Sequence, residues 1–159
     1  MENSQPFSNL IESEIKTDSQ RVVTSSKVWL EVGDVMTKDV TTISLGETIT
    51  DAAQKMAEKN VSYIIVTSDE NIVGILTETD FVKRIANMDK DFDNTTVAEI
   101  MSYPVVSIPP EMSALEASEI VDAKRIKRLP VQHGEKLVGI VTQTDLVRVL
   151  SSYGMWLDV

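Results

Sequence analysis

The segments GILTETD (74–80) and GIVTQTD (139–145) set the same residue types at the same spacing twice: a glycine, a threonine three residues on, and an aspartate three residues after that. A carboxylate accepts several hydrogen bonds, so Asp80 or Asp145 can take both hydroxyls of a ribose diol, with the Thr77 or Thr142 hydroxyl beside it. A helix beginning at this point adds unpaired N–H groups and a positive dipole end, which suit a phosphate. The same spacing also describes a capping box, in which threonine and aspartate satisfy the helix's first N–H groups and bind nothing else. Spacing alone leaves both readings open. The upstream glycines, Gly74 and Gly139, lie in apolar runs, where a missing side chain weakens a strand's packing but admits another molecule or backbone.

The elements that position these motifs are themselves duplicated. At the offset of 65 residues that aligns Gly74 with Gly139, Met36 meets Met101, Val40 meets Val105, Ile43 meets Ile108, Ala52 meets Ala117 and Val66 meets Val131, without a gap. Residues 32–84 and 97–149 are two copies of one unit, each too small to bury its apolar faces alone, so the copies must pack on each other. In the first copy VTTI (40–43) reads as a short strand. Ile49, Ala52, Ala53, Met56 and Ala57 then share one helical face, opened by Thr48 and Asp51 as a capping box. SYIIV and IVGIL flank the turn TSDEN as strands, and TETDFVKRIANM is helical in pattern. The second copy repeats this order with Ser113 and Glu116 as its box. The fold expected is α/β (α+β), two β-α-β-β-α repeats packed with pseudo-two-fold symmetry. Its divisions are a polar tail over 1–31, a first repeat over 32–88, an acidic linker over 89–96, a second repeat over 97–150 and a C-terminal tail over 151–159.

Composition narrows the function. In 159 residues, 15 lysines and arginines face 25 aspartates and glutamates, a net charge of −10 that opposes the positive field nucleic acid or anionic lipid demands. No run approaches the roughly 18 apolar residues of a membrane span, and the N-terminus has no signal-peptide pattern, so a cytoplasmic location is expected. With no cysteine in the chain, thiol catalysis, disulfides and thiolate metal sites are excluded. No activated nucleophile with a positioned base is legible either, and the expectation is a protein that is not an enzyme.

The tandem units, the openings VGDVMTKDVTTI and VAEIMSYPVVSI, the strand RLPV and the two G-h-h-T-x-x-D endings, h being an apolar residue, resemble a pair of cystathionine-β-synthase (CBS) domains, the arrangement called a Bateman module. The resemblance covers residues 32–150. It implies a non-catalytic sensor that binds AMP, ADP, ATP or an S-adenosylmethionine-like ligand in two clefts between the repeats, with no cofactor required. It makes Asp80 and Asp145 ribose ligands with Thr77 and Thr142 beside them. The Asp145 cleft would borrow Thr42, Val61 and Ser62, and the Asp80 cleft Ser107, Ile126 and Lys127, with Arg128 adjoining. A homodimer is implied as well, with an effector protein as a further partner, and the rival reading is a structural or accessory module with empty clefts.

One basic cluster, Lys124, Arg125, Lys127 and Arg128, stands in this acidic chain. Its plain reading is a solvated helix C-terminus, where cations complement the dipole. In the family, basic residues often precede LPV, whereas the first copy has Ser62 and Tyr63 there. Two clefts of unequal affinity are therefore expected, the better phosphate site depending on Lys127 and Arg128. Two further signals carry less. DKDFDNTTVAEI opens like a calcium loop but has Asn94 at its sixth position and Ile100 at its twelfth, which removes both the turn glycine and the bidentate glutamate. His133 stands in a turn without metal-ligand spacing. Met36 and Met101 are expected to fill core between the repeats.

Overall fold

The computed structural model describes residues 30–87 and 91–152. The expected N-terminal tail up to residue 29 and the expected C-terminal tail from residue 153 lie outside the described residues.

The two copies fold into matching elements. The first contains α1 (Val32–Val35), β1 (Thr42–Ser44), α2 (Ile49–Lys59), β2 (Tyr63–Ser68), β3 (Asn71–Thr77) and α3 (Glu78–Asp80), which runs on into a π turn over Phe81–Ile85. The second contains α4 (Val97–Ile100), α5 (Ala114–Lys124), β4 (Arg128–His133), β5 (Lys136–Thr142) and α6 (Gln143–Ser152). Local chemistry sets the boundaries of the helices. Both expected capping boxes form: Thr48 Oγ1 accepts from Asp51 N at 3.1 Å and Asp51 Oδ2 accepts from Thr48 N at 3.1 Å, while Ser113 and Glu116 do the same for α5. Each of α2 and α5 ends on a left-handed residue, Asn60 and Arg125, both with φ of 52°. Asparagine tolerates that region readily and arginine does not, so the repeated architecture rather than local preference holds Arg125 there.

β2 and β3 form an antiparallel hairpin, with β1 added in parallel to β2. β4 and β5 pair in the same register 65 residues on, but the strand expected near Val105–Ile108 shrinks to a single parallel bridge between Ile108 and Val131. Pro104, Pro109 and Pro110 flank it, and proline donates no ladder hydrogen bond.

The halves exchange their opening helices. Val32 of α1 is fully buried among Ile108, Ala117, Val121, Leu129, Val131 and Leu146 of the second copy. Val97 and Ile100 of α4 are fully buried among Ile43, Ile49, Ile64, Val66 and Leu76 of the first. Backbone pairing follows the same crossing: Thr37 exchanges two hydrogen bonds of 2.9 Å with Ile140, and Ser102 exchanges bonds of 2.8 and 3.0 Å with Ile75. Each compact half is thus built from both copies, which is how two units too small to stand alone share their apolar faces.

This exchange accounts for the paired glycines. A Cβ on Gly74 would fall inside the van der Waals envelope of the Met101 sulfur, and one on Gly139 would meet Met36, with its Cγ at 2.8 Å, and the Thr37 carbonyl oxygen at 3.0 Å. The close approach that a strand glycine permits is made by the chain's own methionines. Met36 and Met101 pack against the two cores, as their duplicated positions led one to expect.

Candidate functional site

Thr77 and Thr142 end β3 and β5, and the next residues begin helices, so both T-x-T-D motifs sit at strand-to-helix corners. Both form the capping box. Asp80 Oδ2 accepts from Thr77 N at 2.9 Å and Thr77 Oγ1 at 2.8 Å, and Asp145 Oδ2 accepts from Thr142 N at 2.9 Å and Thr142 Oγ1 at 2.7 Å. The threonine hydroxyls accept in turn from Asp80 N at 3.3 Å and Asp145 N at 3.2 Å. The cap therefore takes one oxygen of each carboxylate and leaves the other.

The remaining oxygens have different surroundings. Asp80 Oδ1 accepts from Ser102 Oγ at 2.8 Å and lies 3.9 Å from Arg84 Nε, with the aspartate side chain only 11% exposed. Among the described residues, Asp145 Oδ1 has one neighbour, Arg148 Nη1 at 3.5 Å, on a side chain that is 73% exposed. An exposed pair of that kind contributes little and is screened by salt, so Asp145 keeps an oxygen for another partner.

Around the Asp145 corner, residues from both copies converge. Arg128 Nη2 donates to Ser62 Oγ at 2.8 Å, and its guanidinium lies over the Tyr63 ring, 5.1 Å from the centroid. Tyr63 and Arg128 are equivalent positions in the two copies, so this cation–π contact joins the halves close to their pseudo-two-fold axis. Burial pushes the Tyr63 hydroxyl above its ordinary range, Arg128 opposes that, and the charge of Asp145 adds to it. Tyr63, Arg128 and Asp145 are thus within electrostatic reach of one another, and the phenol stays a hydrogen-bond donor at neutral pH.

Arg128, which the resemblance sets adjoining the Asp80 cleft, pairs in its own strand with Thr142 at the Asp145 corner and reaches across to Ser62 and to Tyr63, which pairs with Thr77 at the Asp80 corner. Lys127 is exposed, holds no ion pair among the described residues, and receives Gln143 N on its carbonyl at 2.9 Å; Ser62 receives Glu78 N in the same way at 3.2 Å. Val61 and Ile126 lead into β2 and β4 at equivalent places. Thr42 and Ser107 are exposed, and among the described residues neither is bonded to an aspartate. Tyr63, Arg84, Ser102 and Arg148 were not singled out as site residues from sequence. The spacings of Arg84, four residues after Asp80, and of Arg148, three after Asp145, were local signals; Ser102 lies 22 residues from Asp80 in sequence.

An open groove of about 710 Å³ beside the Asp80 corner is lined by Ala53, Asn60, Val61, Ser62, Glu78 and Phe81, among others; it takes in two of the expected site residues, Val61 and Ser62, but neither aspartate. In the linker, Asp91 and Asp93 serve as acceptors within the protein: Asp91 Oδ1 takes Asp93 N at 3.0 Å and Asp93 Oδ1 takes Thr50 Oγ1 of α2 at 2.7 Å. Among the described residues, no group of three or more histidine, cysteine or acidic side chains is placed to hold a metal, and no helix is long and apolar enough to cross a membrane.

A model of the CBS domain matches residues 32–87 and again 97–152. The chain is 38% identical over 122 residues to the uncharacterized protein MK0525 of Methanopyrus kandleri, covering 76% of this chain and 62% of that one. It is 39% identical over 115 residues to the CBS domain-containing protein YhcV of Bacillus subtilis, covering 72% and 81%. The structure of a hexameric CBS-CP12 protein from bloom-forming cyanobacteria superposes with a TM-score of 0.72 at 31% identity, covering 84% of this chain and 78% of that one.

Proposed function

We propose that this chain, which belongs to the CBS domain family, is a non-catalytic sensor that binds an adenine nucleotide at the Asp145 corner. CBS-domain pairs are generally regulatory modules, and this chain consists mostly of such a pair. The observation that carries the finer reading is the meeting, at the N-terminus of the ten-residue α6, of one uncommitted Asp145 oxygen with Ser62, Tyr63 and Arg128 of facing strands. The carboxylate suits a ribose diol, and Arg128 can exchange Ser62 for a phosphate, to which a guanidinium binds more strongly than to a neutral hydroxyl.

Signalling follows from where these groups come from. Asp145 belongs to the second copy and Ser62 and Tyr63 to the first, so a ligand touching all three favours one relative arrangement of the halves. Only such differential affinity turns occupancy into a conformational signal. Self-association accompanies this reading, and the hexameric relative supports it. Val82 and its counterpart Val147, 69% and 42% exposed, offer equivalent apolar positions on the outer helices for a second copy.

The competing reading, a structural module with empty clefts, draws on the two complete capping boxes. A thermal-shift panel of AMP, ADP, ATP, NAD and S-adenosylmethionine separates them. A ligand at 100 times its dissociation constant adds about 2.7 kcal/mol of stability; no shift with any of the five favours the empty module.

A further inference from the structure

We infer that the chain latches its own Asp80 corner, so that of the two duplicated clefts only the one at Asp145 is open to ligand. This rests on the nucleotide reading for its ligand and on geometry alone for the latch.

Both Asp80 oxygens are engaged from within. Oδ2 serves the cap, and Oδ1 holds the Ser102 hydroxyl at 2.8 Å with Arg84 Nε 3.9 Å away. The same guanidinium donates through Nη1 to the carbonyls of Ile100 at 2.8 Å and Met101 at 2.7 Å. Those carbonyls end α4, where the last C=O groups of a helix lack intrahelical donors and the dipole is negative. Arg84 thus ties the aspartate corner of the first copy to the helix end lent by the second, and a cation and a hydroxyl occupy the oxygen that a ribose would need.

The second half has a cation beside its aspartate but no such tie: Arg148 Nη1 lies 3.5 Å from Asp145 Oδ1 on a side chain that is 73% exposed, and among the described residues it bonds no helix-end carbonyl. The position matching Arg84 is Val149, which can donate nothing, and the position matching Ser102 is Thr37, which among the described residues makes no hydrogen bond to Asp145. The helices differ in the same way: Arg84 stands in a π turn, while α6 is a regular helix of ten residues. π turns are rare and often mark functional sites, and here one carries the side chain that clamps α4. The duplicated motif has therefore diverged into one corner that holds itself closed and one that remains free.

Two measurements on the full chain decide the matter. The first needs no nucleotide: urea denaturation of Arg84→Met, Ser102→Ala and the double variant. The latch predicts that each single change lowers the midpoint by about 0.5 M and that the double variant falls short of the sum, because both act on one carboxylate. Thr37→Ala, its counterpart, leaves the midpoint within error. Unchanged midpoints for Arg84→Met and Ser102→Ala overturn the latch whatever binds elsewhere. The second is calorimetric titration with ADP. One equivalent per chain is expected, weakened about ten- to a hundredfold by Asp145→Asn, and a second equivalent emerges in the Arg84→Met, Ser102→Ala variant. Two equivalents in the unaltered chain overturn the inference while leaving the nucleotide reading intact. No heat with ADP in either protein counts against the nucleotide reading, and the denaturation series still decides the latch.

Discussion

The Asp80 and Asp145 corners begin from the same seven-residue pattern and reach the same cap, with distances that agree to about 0.1 Å, yet the second oxygen holds a hydroxyl, Ser102, at Asp80 and, among the described residues, only the exposed Arg148 at Asp145. What is common to the two corners is local: a threonine and an aspartate three residues apart, closing a helix start. What separates them is remote. Ser102 and the carbonyls of Ile100 and Met101 come from the helix donated by the other copy, and Arg84 reaches them from a π turn that α6 lacks. Duplication preserves what a motif does for its own backbone more strictly than what its remaining atoms do for the rest of the molecule.

The exchanged helices supply the sharpest contrast. Ile100 is fully buried in the first half, whereas Val35, its counterpart, is only partly buried in the second. Ile100→Ala is expected to cost about 2–5 kcal/mol and Val35→Ala distinctly less, measured by denaturant unfolding. Equal costs would mean that the two exchanged helices are held alike, and the asymmetry would then be confined to the corners.

The paired glycines give the next largest effect. An alanine at Gly139 meets a carbonyl oxygen, that of Thr37, which cannot swing aside, while at Gly74 the three nearest atoms all belong to the Met101 side chain. Gly139→Ala should destabilise by about 1–3 kcal/mol, the range for overpacking, and Gly74→Ala by less, because a methionine can change rotamer. Thermal midpoints of the two variants, taken together with that of Gly74→Ala in a Met101→Leu background, check the order.

Much of this was legible in the sequence, and the reason is that it is local or periodic. The 65-residue offset, the helices opened by Thr48 with Asp51 and by Ser113 with Glu116, and the hairpins around TSDEN and QHGE all follow from spacing. The exchange of α1 and α4 was not legible, because four-residue helices carry no periodicity and their contacts lie far along the chain. The glycines pointed correctly to a close approach, but sequence could not say that Met36 and Met101 make it. Arg128 was visible as part of a basic cluster; that it crosses to Tyr63, its own repeat equivalent, depends on how the halves face each other.

The smallest expected effect concerns acid. Hydrogen bonds from the Thr48 hydroxyl and backbone hold the Asp51 carboxyl below its ordinary value, and Ser113 does the same for Glu116. A carboxylate with a lowered folded value adds stability that is present above its unfolded value and lost as pH falls through the folded one. Thermal midpoints should therefore decline gently below about pH 4. Asp51→Asn and Glu116→Gln should each flatten that decline by a similar amount, since these boxes, unlike the corners, are alike in the two halves.

The most direct test of the unequal corners is a crystal structure grown with excess ADP. The account predicts a ribose on the free oxygen of Asp145, with Arg128 released from Ser62 toward phosphate, and Asp80 still bonded to Ser102. A ribose seated on Asp80 with Arg84 displaced, while Asp145 stays bare, would contradict it.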